Sequence, residues 1–264
     1  MTVKVQRSKL AVAESFSRAA PSYDSAAQLQ RDIGTELFNL LPSNVAPQTV
    51  VDIGSGTGFF SEKLQLAYPQ ALVCGLDLAQ GMLHYARARH EKSLTWVGAD
   101  MECLPFADAS INLFFSSLAL QWSEDLPAFF AEIHRTLYPG GLIALATLGP
   151  NTLFELRDSW QRVDGFTHVN QFIHGDKVRA AAAQAGLRER CWISAEKIMR
   201  YDALRELTHE LKAIGAHNVN RARAPGLTGR EKLKKLRASY ELYRQPDGLP
   251  ATYEIYWLLL HKPG

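Results

Sequence analysis

The sequence predicts an α/β fold in which helices cover a mostly parallel β-sheet. Short apolar runs rich in β-branched residues, which favour buried strands, alternate along the chain with segments of helical periodicity. Several runs end in a glycine turn or an aspartate, whereas the last two, over residues 191–201 and 251–260, are expected to pair antiparallel. With 264 residues, 47% of them hydrophobic, the chain can bury one substantial core, so we expect a single domain with appended elements.

The first apolar run leads into a turn with three glycines, Gly54, Gly56 and Gly58, and a helical segment follows. Glycines let the backbone of such a turn approach a ligand closely, and Ser55 lies between two of them. A dinucleotide-binding turn would need a glycine at position 59, which is phenylalanine, and residues 50–58 contain no lysine for a phosphate loop. Asp52 suits a ligand with an ammonium group, which S-adenosylmethionine has and NAD lacks. The turn therefore predicts S-adenosylmethionine as the cofactor.

Aspartates at the ends of the next two runs predict where the rest of the cofactor binds. Asp77 ends the run over residues 71–77, where an α/β nucleotide site carries an acid that accepts both ribose hydroxyls. Leu78 and Met82 begin the following helix and are placed to flank an adenine. Asp100 and Met101 follow the third run, where a carboxylate and a backbone amide would meet the adenine edge. The first half of the chain thus resembles a class I S-adenosylmethionine-dependent methyltransferase.

The fourth run, residues 111–117, is predicted to be a central strand. In the fold that the resemblance implies, the end of this strand faces the transferable methyl group. Ser116, Ser117, Leu118 and Gln121 are therefore the candidates nearest the chemistry. Trp122 fits core packing and the site equally well. A Pro-Gly-Gly turn at residues 139–141 separates the next helix from a fifth strand over residues 142–148.

Three segments exceed a minimal sheet with helices and are interpreted as a cap over the methyl-transfer site. Residues 1–41 carry two helices with a break at Pro21, and Tyr23 is expected to close over the methionine part of the cofactor. The core is assigned to residues 42–200 and 250–264, with its last helix over residues 180–187. Residues 201–249 form a helical insertion, and connections of that size are usually functional. Residues 149–175 complete the cap.

Over nearly its whole length the chain resembles the malonyl-[acyl-carrier-protein] O-methyltransferases of biotin synthesis. The specific part is in the cap, with His-x-Asn-x-Phe at residues 168–172 and Leu-Lys-x-Ile-Gly-Ala at residues 211–216. Asn112 departs from the aspartate that many class I enzymes carry, although an amide can still form hydrogen bonds there. The resemblance implies a Rossmann-like α/β fold with a seven-stranded, mostly parallel sheet and helical cap insertions. The other matching segments are residues 16–20 with Tyr23, 52–58, 112–122, 147–150, 155–156, 227–228 and 249–253.

The resemblance also implies methyl transfer from S-adenosylmethionine to the free carboxylate of a malonyl thioester, the step that starts pimeloyl and biotin synthesis. A carboxyl group has a reference pKa near ~4, so at neutral pH it is ionised and needs no general base. The site must position this carboxylate, exclude water and hold its second oxygen with a cation or hydrogen-bond donors. For each candidate, a solvated surface charge or a structural hydrogen bond is the alternative. The candidates are Arg18, His168, Asn170, Lys212 and Arg223.

Composition and charge limit which classes of partner we expect. A net charge of +2 gives no field that favours nucleic acid or a membrane surface, and no apolar run reaches membrane-spanning length. The three cysteines lack metal-ligand spacing, so we expect no metal and reduced thiols in a cytoplasmic protein.

A basic run lies in the proposed cap, where seven basic residues between positions 221 and 237 accompany one acid, Glu231. Since acyl carrier proteins are acidic, we interpret the run as a docking surface for a malonyl-carrier protein, with a solvated helix face as the alternative. Malonyl-coenzyme A is the other thioester that the sequence leaves open. A small-molecule methyltransferase acting on a quinone precursor or a free dicarboxylate would share the core motifs but would not need this run. The seven residues are Arg221, Arg223, Arg230, Lys232, Lys234, Lys235 and Arg237.

Overall fold

A computed structural model describes residues 8–90, 94–216 and 229–264, and these form a seven-stranded sheet with helices. The strands are β1 Thr49–Ile53, β2 Leu72–Asp77, β3 Thr95–Gly98, β4 Ile111–Ser117, β5 Leu137–Leu148, β6 Arg188–Tyr201 and β7 Leu249–His261. The helices are α1 Lys9–Ala26, α2 Gln28–Asn39, α3 Phe59–Ala67, α4 Gln80–Arg89, α5 Leu126–Thr136, α6 Phe154–Gln161, α7 Gly175–Gln184, α8 Leu204–Ala213 and α9 Arg230–Glu241.

The strand order is β3-β2-β1-β4-β5-β7-β6, and β7 runs antiparallel to both of its neighbours. The other neighbouring pairs are parallel, which confirms the mostly parallel, seven-stranded sheet expected from the sequence. The chain reverses its direction of winding between β1 and β4. In open α/β sheets, ligands bind outside the carboxyl ends of the strands at such a point.

Both faces of the central part of the sheet are buried, because successive side chains of a strand point to opposite faces and the central strands are mostly apolar. On β4, Leu113 and Phe115 join one apolar cluster, and Phe114 joins the other. The first cluster includes Ile33 of α2, and the second includes Ile133 of α5. The sheet is therefore a rigid central layer whose carboxyl edge carries the exposed loops.

The expected helix break at Pro21 is wrong, since α1 continues through this proline and ends at Ala26. An interior proline removes one helical hydrogen bond, but packing against α4 compensates for it. There the backbone amide of Gly81 donates to the Ser17 hydroxyl at 3.1 Å. The break falls at Ala27 instead, and the guanidinium of Arg31 donates to the Asp24 carbonyl at 2.7 Å near the end of α1.

Within the described ranges, none of the helices combines the length and the apolar character that a bilayer span requires. Asn112 lies at the start of β4, on the edge opposite the glycine turn. Its side-chain oxygen accepts hydrogen bonds from the backbone amides of Gln48 and Thr49, each at 3.0 Å. The amide therefore stabilises the start of β1, which is the structural role expected for it.

Candidate active site

The glycine turn connects β1 to α3, and its three glycines all have a left-handed backbone, with φ of 72°, 54° and 89°. A Cβ built on Gly54 would lie 2.4 Å from the Cβ of Ala119, and one built on Gly58 would lie 2.5 Å from the ring of Trp96. A Cβ on Gly56 would meet no atom within 4 Å. The first and third glycines thus allow close packing, whereas Gly56 borders open space.

That open space is a cavity of about 100 Å³ at the carboxyl ends of β1, β2 and β4, here called the strand-edge cavity. Among its lining residues are ten of the predicted cofactor-binding residues. These are Tyr23, Gly54, Gly56, Asp77, Leu78, Met82, Asp100, Met101, Ser117 and Leu118.

Asp77 lies at the centre of this cavity wall. Its carboxylate accepts hydrogen bonds from the backbone amides of Ala79 at 2.8 Å and Gly56 at 2.9 Å. Burial raises the pKa of Asp77, although these two amides oppose the shift. The carboxylate is therefore held in a fixed orientation beside the glycine turn, which is what recognition of a diol requires.

Helix α1 crosses the strand-edge cavity and is tied down on both sides of it. At its start, Lys9 bridges the carboxylates of Asp100, at 2.6 Å, and Glu102. Near its end, Asp24 accepts a hydrogen bond from the hydroxyl of Thr57 in the glycine turn at 2.7 Å. The sequence gives no sign that Lys9 and Glu102 line this cavity, because no spacing pattern links α1 to a loop so far along the chain.

Other predicted cofactor residues lie behind the cavity wall. Asp52 is buried and accepts a hydrogen bond from the Ser61 hydroxyl at 2.7 Å. Burial, with the charge of Asp77 nearby, raises the pKa of Asp52 to about 7 despite the Ser61 hydrogen bond. Ser116 is likewise buried and donates to the Ile53 carbonyl at 3.0 Å. Ser55 and Gly58 belong to the turn itself without lining the cavity. Direct cofactor contact by these four remains a prediction.

A second cavity, of about 200 Å³, lies between the sheet edge and the segments assigned to the cap. We call it the cap cavity. Its walls include Trp160 of α6, His168 and Asn170 of the following loop, Leu211 of α8 and Tyr253 of β7. Gln121, predicted to lie near the chemistry, lines this cavity. The four residues that line both cavities are Phe16, Tyr23, Leu118 and Trp122.

His168 is held on the cap-cavity wall by two direct neighbours, Asp164 and Trp160. Its Nε2 lies 2.7 Å from a carboxylate oxygen of Asp164, and its ring stacks on Trp160 at a centroid distance of 3.6 Å. The other oxygen of Asp164 lies 2.9 Å from the ammonium of Lys232 on α9. Burial alone would raise the pKa of Asp164, but the hydrogen bonds from Lys232 and His168 outweigh it and lower the pKa to about 2.

Two of the other candidates for holding the substrate carboxylate, Arg18 and Lys212, do not line the cap cavity. Arg18 is exposed on α1 and lies 3.8 Å from Glu14, and Lys212 is exposed on α8. Arg223 lies outside the described residues, as does Arg221 of the basic run. Lys232 turns inward to Asp164. The members of the run that are exposed on α9 are Arg230, Lys234, Lys235 and Arg237.

Several known proteins are similar to this chain in sequence. A family model described as a methyltransferase domain matches residues 51–145. The biotin biosynthesis bifunctional protein BioHC of Cellvibrio japonicus is 47% identical over 97% of this chain and 50% of its own length. The malonyl-[acyl-carrier protein] O-methyltransferase of Hahella chejuensis is 44% identical over 95% of this chain and 89% of its own length. The chain thus spans about half the length of the bifunctional relative and most of the other.

Solved structures share the fold at low sequence identity. The YcgJ protein of Bacillus subtilis superposes with a TM-score of 0.60 at 16% identity, covering 89% of this chain and 99% of that one. The phosphoethanolamine N-methyltransferase 2 of Haemonchus contortus superposes with a TM-score of 0.53 at 16% identity, covering 88% of this chain and 53% of that one. These likenesses establish the fold alone. The strand order, the glycine turn and the 44% identical relative together establish that the chain belongs to the malonyl-[acyl-carrier protein] O-methyltransferase family, within the class I S-adenosylmethionine-dependent methyltransferases.

Proposed function

We propose that this chain transfers a methyl group from S-adenosylmethionine to the free carboxylate of a malonyl thioester, with malonyl-acyl carrier protein as the substrate in the cell. The observation that carries the proposal is the junction of two cavities at Phe16, Tyr23, Leu118 and Trp122. A cofactor in the strand-edge cavity and an acyl group in the cap cavity would meet there. The names of the relatives supply the identity of the acyl group.

The strand-edge cavity fits S-adenosylmethionine on three features of its own. Gly56 leaves free space beside the turn, and the fixed carboxylate of Asp77 is an acceptor for a ribose diol. Leu78 and Met82 supply apolar walls for an adenine, next to Asp100. When bound, the cofactor supplies the methyl group as an activated sulfonium. Tyr23 borders both cavities and is our candidate to close over that end of the cofactor.

The contribution of the protein is positioning and exclusion of water. Because the malonyl carboxylate is ionised at neutral pH, one of its oxygens can attack directly once it is aligned. A carboxylate and a sulfonium neutralise each other during transfer, so the aromatic and aliphatic junction of the two cavities favours the reaction. We assign the second carboxylate oxygen to His168 and Asn170, since these candidates line the cap cavity.

The exposed basic face of α9 is our candidate docking surface for the carrier protein. Four basic residues of this helix point to solvent, whereas Lys232 pairs with Asp164. Complementary charge of this kind acts mainly on the encounter rate and weakens as ionic strength rises. Within the described ranges these four cations form no ion pair, so their charge is available to an acidic partner.

The test is a methyl-transfer assay with S-adenosylmethionine and four acceptors: malonyl-carrier protein, malonyl-coenzyme A, free malonate and acetyl-carrier protein. The expected result is rapid methylation of malonyl-carrier protein, slower methylation of malonyl-coenzyme A, and no methylation of acetyl-carrier protein, which lacks the free carboxylate. Equal or faster turnover of free malonate would contradict the proposal and favour a small-molecule methyltransferase.

A further inference from the structure

The loop after α6 contains a buried acid, Asp164, that the sequence does not mark as functional. Its carboxylate receives three hydrogen bonds: from His168 at 2.7 Å, from the ammonium of Lys232 at 2.9 Å and from the backbone amide of Phe166 at 3.1 Å. The side chain of Asp164 is 11% exposed and that of His168 is 12% exposed. Asp164 does not line the cap cavity itself; its carboxylate lies behind His168, which does.

The geometry fixes which nitrogen of His168 carries a proton toward Asp164. An ionised carboxylate only accepts hydrogen bonds, so Nε2 of His168 must be the donor in this pair. The stack on Trp160 fixes the plane of the ring from one side. Among the described residues, none forms a hydrogen bond with the other ring nitrogen, Nδ1. The imidazole is therefore held with one nitrogen committed to the protein and one left for a ligand.

Lys232 removes an electrostatic obstacle. An unpaired carboxylate directly behind the wall of the cap cavity would repel an acidic substrate, and the ammonium 2.9 Å away neutralises it. Because the Lys232 side chain is 43% exposed and that of Asp164 only 11%, the lysine reaches inward from the surface of α9. Helix α9 thus presents cations to solvent on one side and, through Asp164, supports the wall residue His168 on the other.

We propose that Asp164 and Lys232 are positioning residues for recognition of the acyl carboxylate, and that they act through His168. Asp164 accepts a hydrogen bond from Nε2 and orients the ring so that Nδ1–H of the imidazolium form donates to one carboxylate oxygen, and Lys232 balances the charge of Asp164. This inference rests on the proposed function for the identity of the acyl group, but its geometry concerns the binding of any short acid in the cap cavity. It assigns Lys232 a role different from that of its exposed neighbours on α9.

The test is a double-mutant cycle on ligand binding. Malonyl-coenzyme A is titrated by calorimetry into protein saturated with S-adenosylhomocysteine, for the wild type, Asp164→Asn, His168→Gln and the double variant. Each single variant is expected to weaken binding at least about tenfold, equivalent to ~1.4 kcal/mol. The double variant is expected to be little worse than His168→Gln alone, because Asp164 acts through that ring. If the fold-losses in affinity of the two single variants multiply in the double variant, Asp164 has a role independent of His168, and the inference is wrong.

Matched controls remove one acid and one cation at sites outside both cavities and outside α9. Asp158→Asn removes an acid of α6 that is 41% exposed, and Lys177→Met removes an exposed cation of α7. Both are expected to bind malonyl-coenzyme A like the wild type. Lys232→Met is expected to weaken binding only while Asp164 is present, so Asp164→Asn should restore part of the loss. A Lys232→Met defect that persists in the Asp164→Asn background would contradict the charge-balancing role.

The same variants separate this inference from the proposed function. If the wild type binds malonyl-coenzyme A and shows the non-additive cycle, but methylates no malonyl thioester, the proposed function is wrong and the inference stands. If methylation proceeds and the cycle is additive, the inference is wrong and the function stands. Retained affinity for S-adenosylhomocysteine in every variant verifies that the fold is intact, and a variant without that affinity is replaced by His168→Asn or Asp164→Ser.

Discussion

Replacing Gly56 by alanine is expected to weaken cofactor binding at least about tenfold while leaving the fold largely intact. A non-glycine residue in the left-handed region costs about 1–2 kcal/mol, and Gly56 has a φ of 54°. The added methyl would meet no protein atom within 4 Å, so no packing penalty follows. It would, however, occupy the space of the strand-edge cavity, where the ligand has to approach the turn.

Two other glycines separate these contributions. Gly140 has a φ of 82° with open space around it, and it lies on the edge of the sheet away from the glycine turn. Gly140→Ala thus reports the backbone strain alone. Gly54→Ala adds an overlap with Ala119, at 2.4 Å between Cβ atoms, and overpacking of this kind costs about 1–3 kcal/mol more. Gly54→Ala should therefore be the least stable of the three.

The assay combines urea unfolding with calorimetric titration of S-adenosylhomocysteine. Gly56→Ala should match Gly140→Ala in free energy of unfolding but lose at least about tenfold in cofactor affinity, whereas Gly140→Ala binds like the wild type. If Gly56→Ala binds S-adenosylhomocysteine as tightly as Gly140→Ala does, the cofactor does not lie against this turn, and the assignment of the strand-edge cavity is wrong.

Other changes test the remaining assignments. Asp77→Asn should weaken S-adenosylhomocysteine binding by about 1.5–3 kcal/mol, since it removes a charged acceptor of ribose hydroxyls, and unchanged affinity in calorimetry would refute that role. Replacing Arg230, Lys234 and Arg237 of α9 together by glutamate should raise the KM for malonyl-carrier protein several-fold and leave the KM for malonyl-coenzyme A nearly unchanged. Equal increases in KM for both substrates would indicate a structural role. The pKa of Asp164 is lowered from 3.8 to about 2 in the folded protein. The ionised side chain therefore stabilises the fold fully at pH values above 3.8, and this stabilisation is lost as the pH falls through about 2. The stability difference between wild type and Asp164→Asn in urea unfolding should therefore narrow between pH 5 and pH 2, and a constant difference would exclude this linkage.

Local sequence patterns predicted individual strands, whereas the seven-stranded sheet was implied by the family resemblance. Strands β1, β2 and β4 are short apolar runs, and β4 begins and ends at the residues that its run predicts. The break at Pro21 failed because local propensity was outweighed by packing of α1 against α4, which the sequence does not display. Long-range contacts of this kind are absent from any window of neighbouring residues.

The sequence predicted those site residues that the strand order brings to one edge of the sheet. It did not predict the ion pairs between side chains that are far apart in the chain. Asp77 and Asp100 follow strands whose carboxyl ends share one edge, so their convergence follows from the topology. Lys9 with Glu102, and Asp164 with Lys232, are ion pairs between elements separated by 93 and 68 residues. Charge spacing carries no information about such pairs, and for that reason the sequence groups Lys232 with the proposed carrier-docking residues, whereas its ammonium pairs with Asp164.

The position of Lys232 bears on how carrier docking and acyl recognition are related. A carrier protein that approaches the exposed face of α9 would contact the helix whose inward lysine neutralises Asp164, and Asp164 in turn orients His168. If α9 is the docking surface, docking and carboxylate recognition would be joined by this one helix rather than by separate surfaces. Since methyl transfer to an ionised carboxylate needs alignment rather than a base, a helix that ordered both the carrier and the imidazole would act on that alignment.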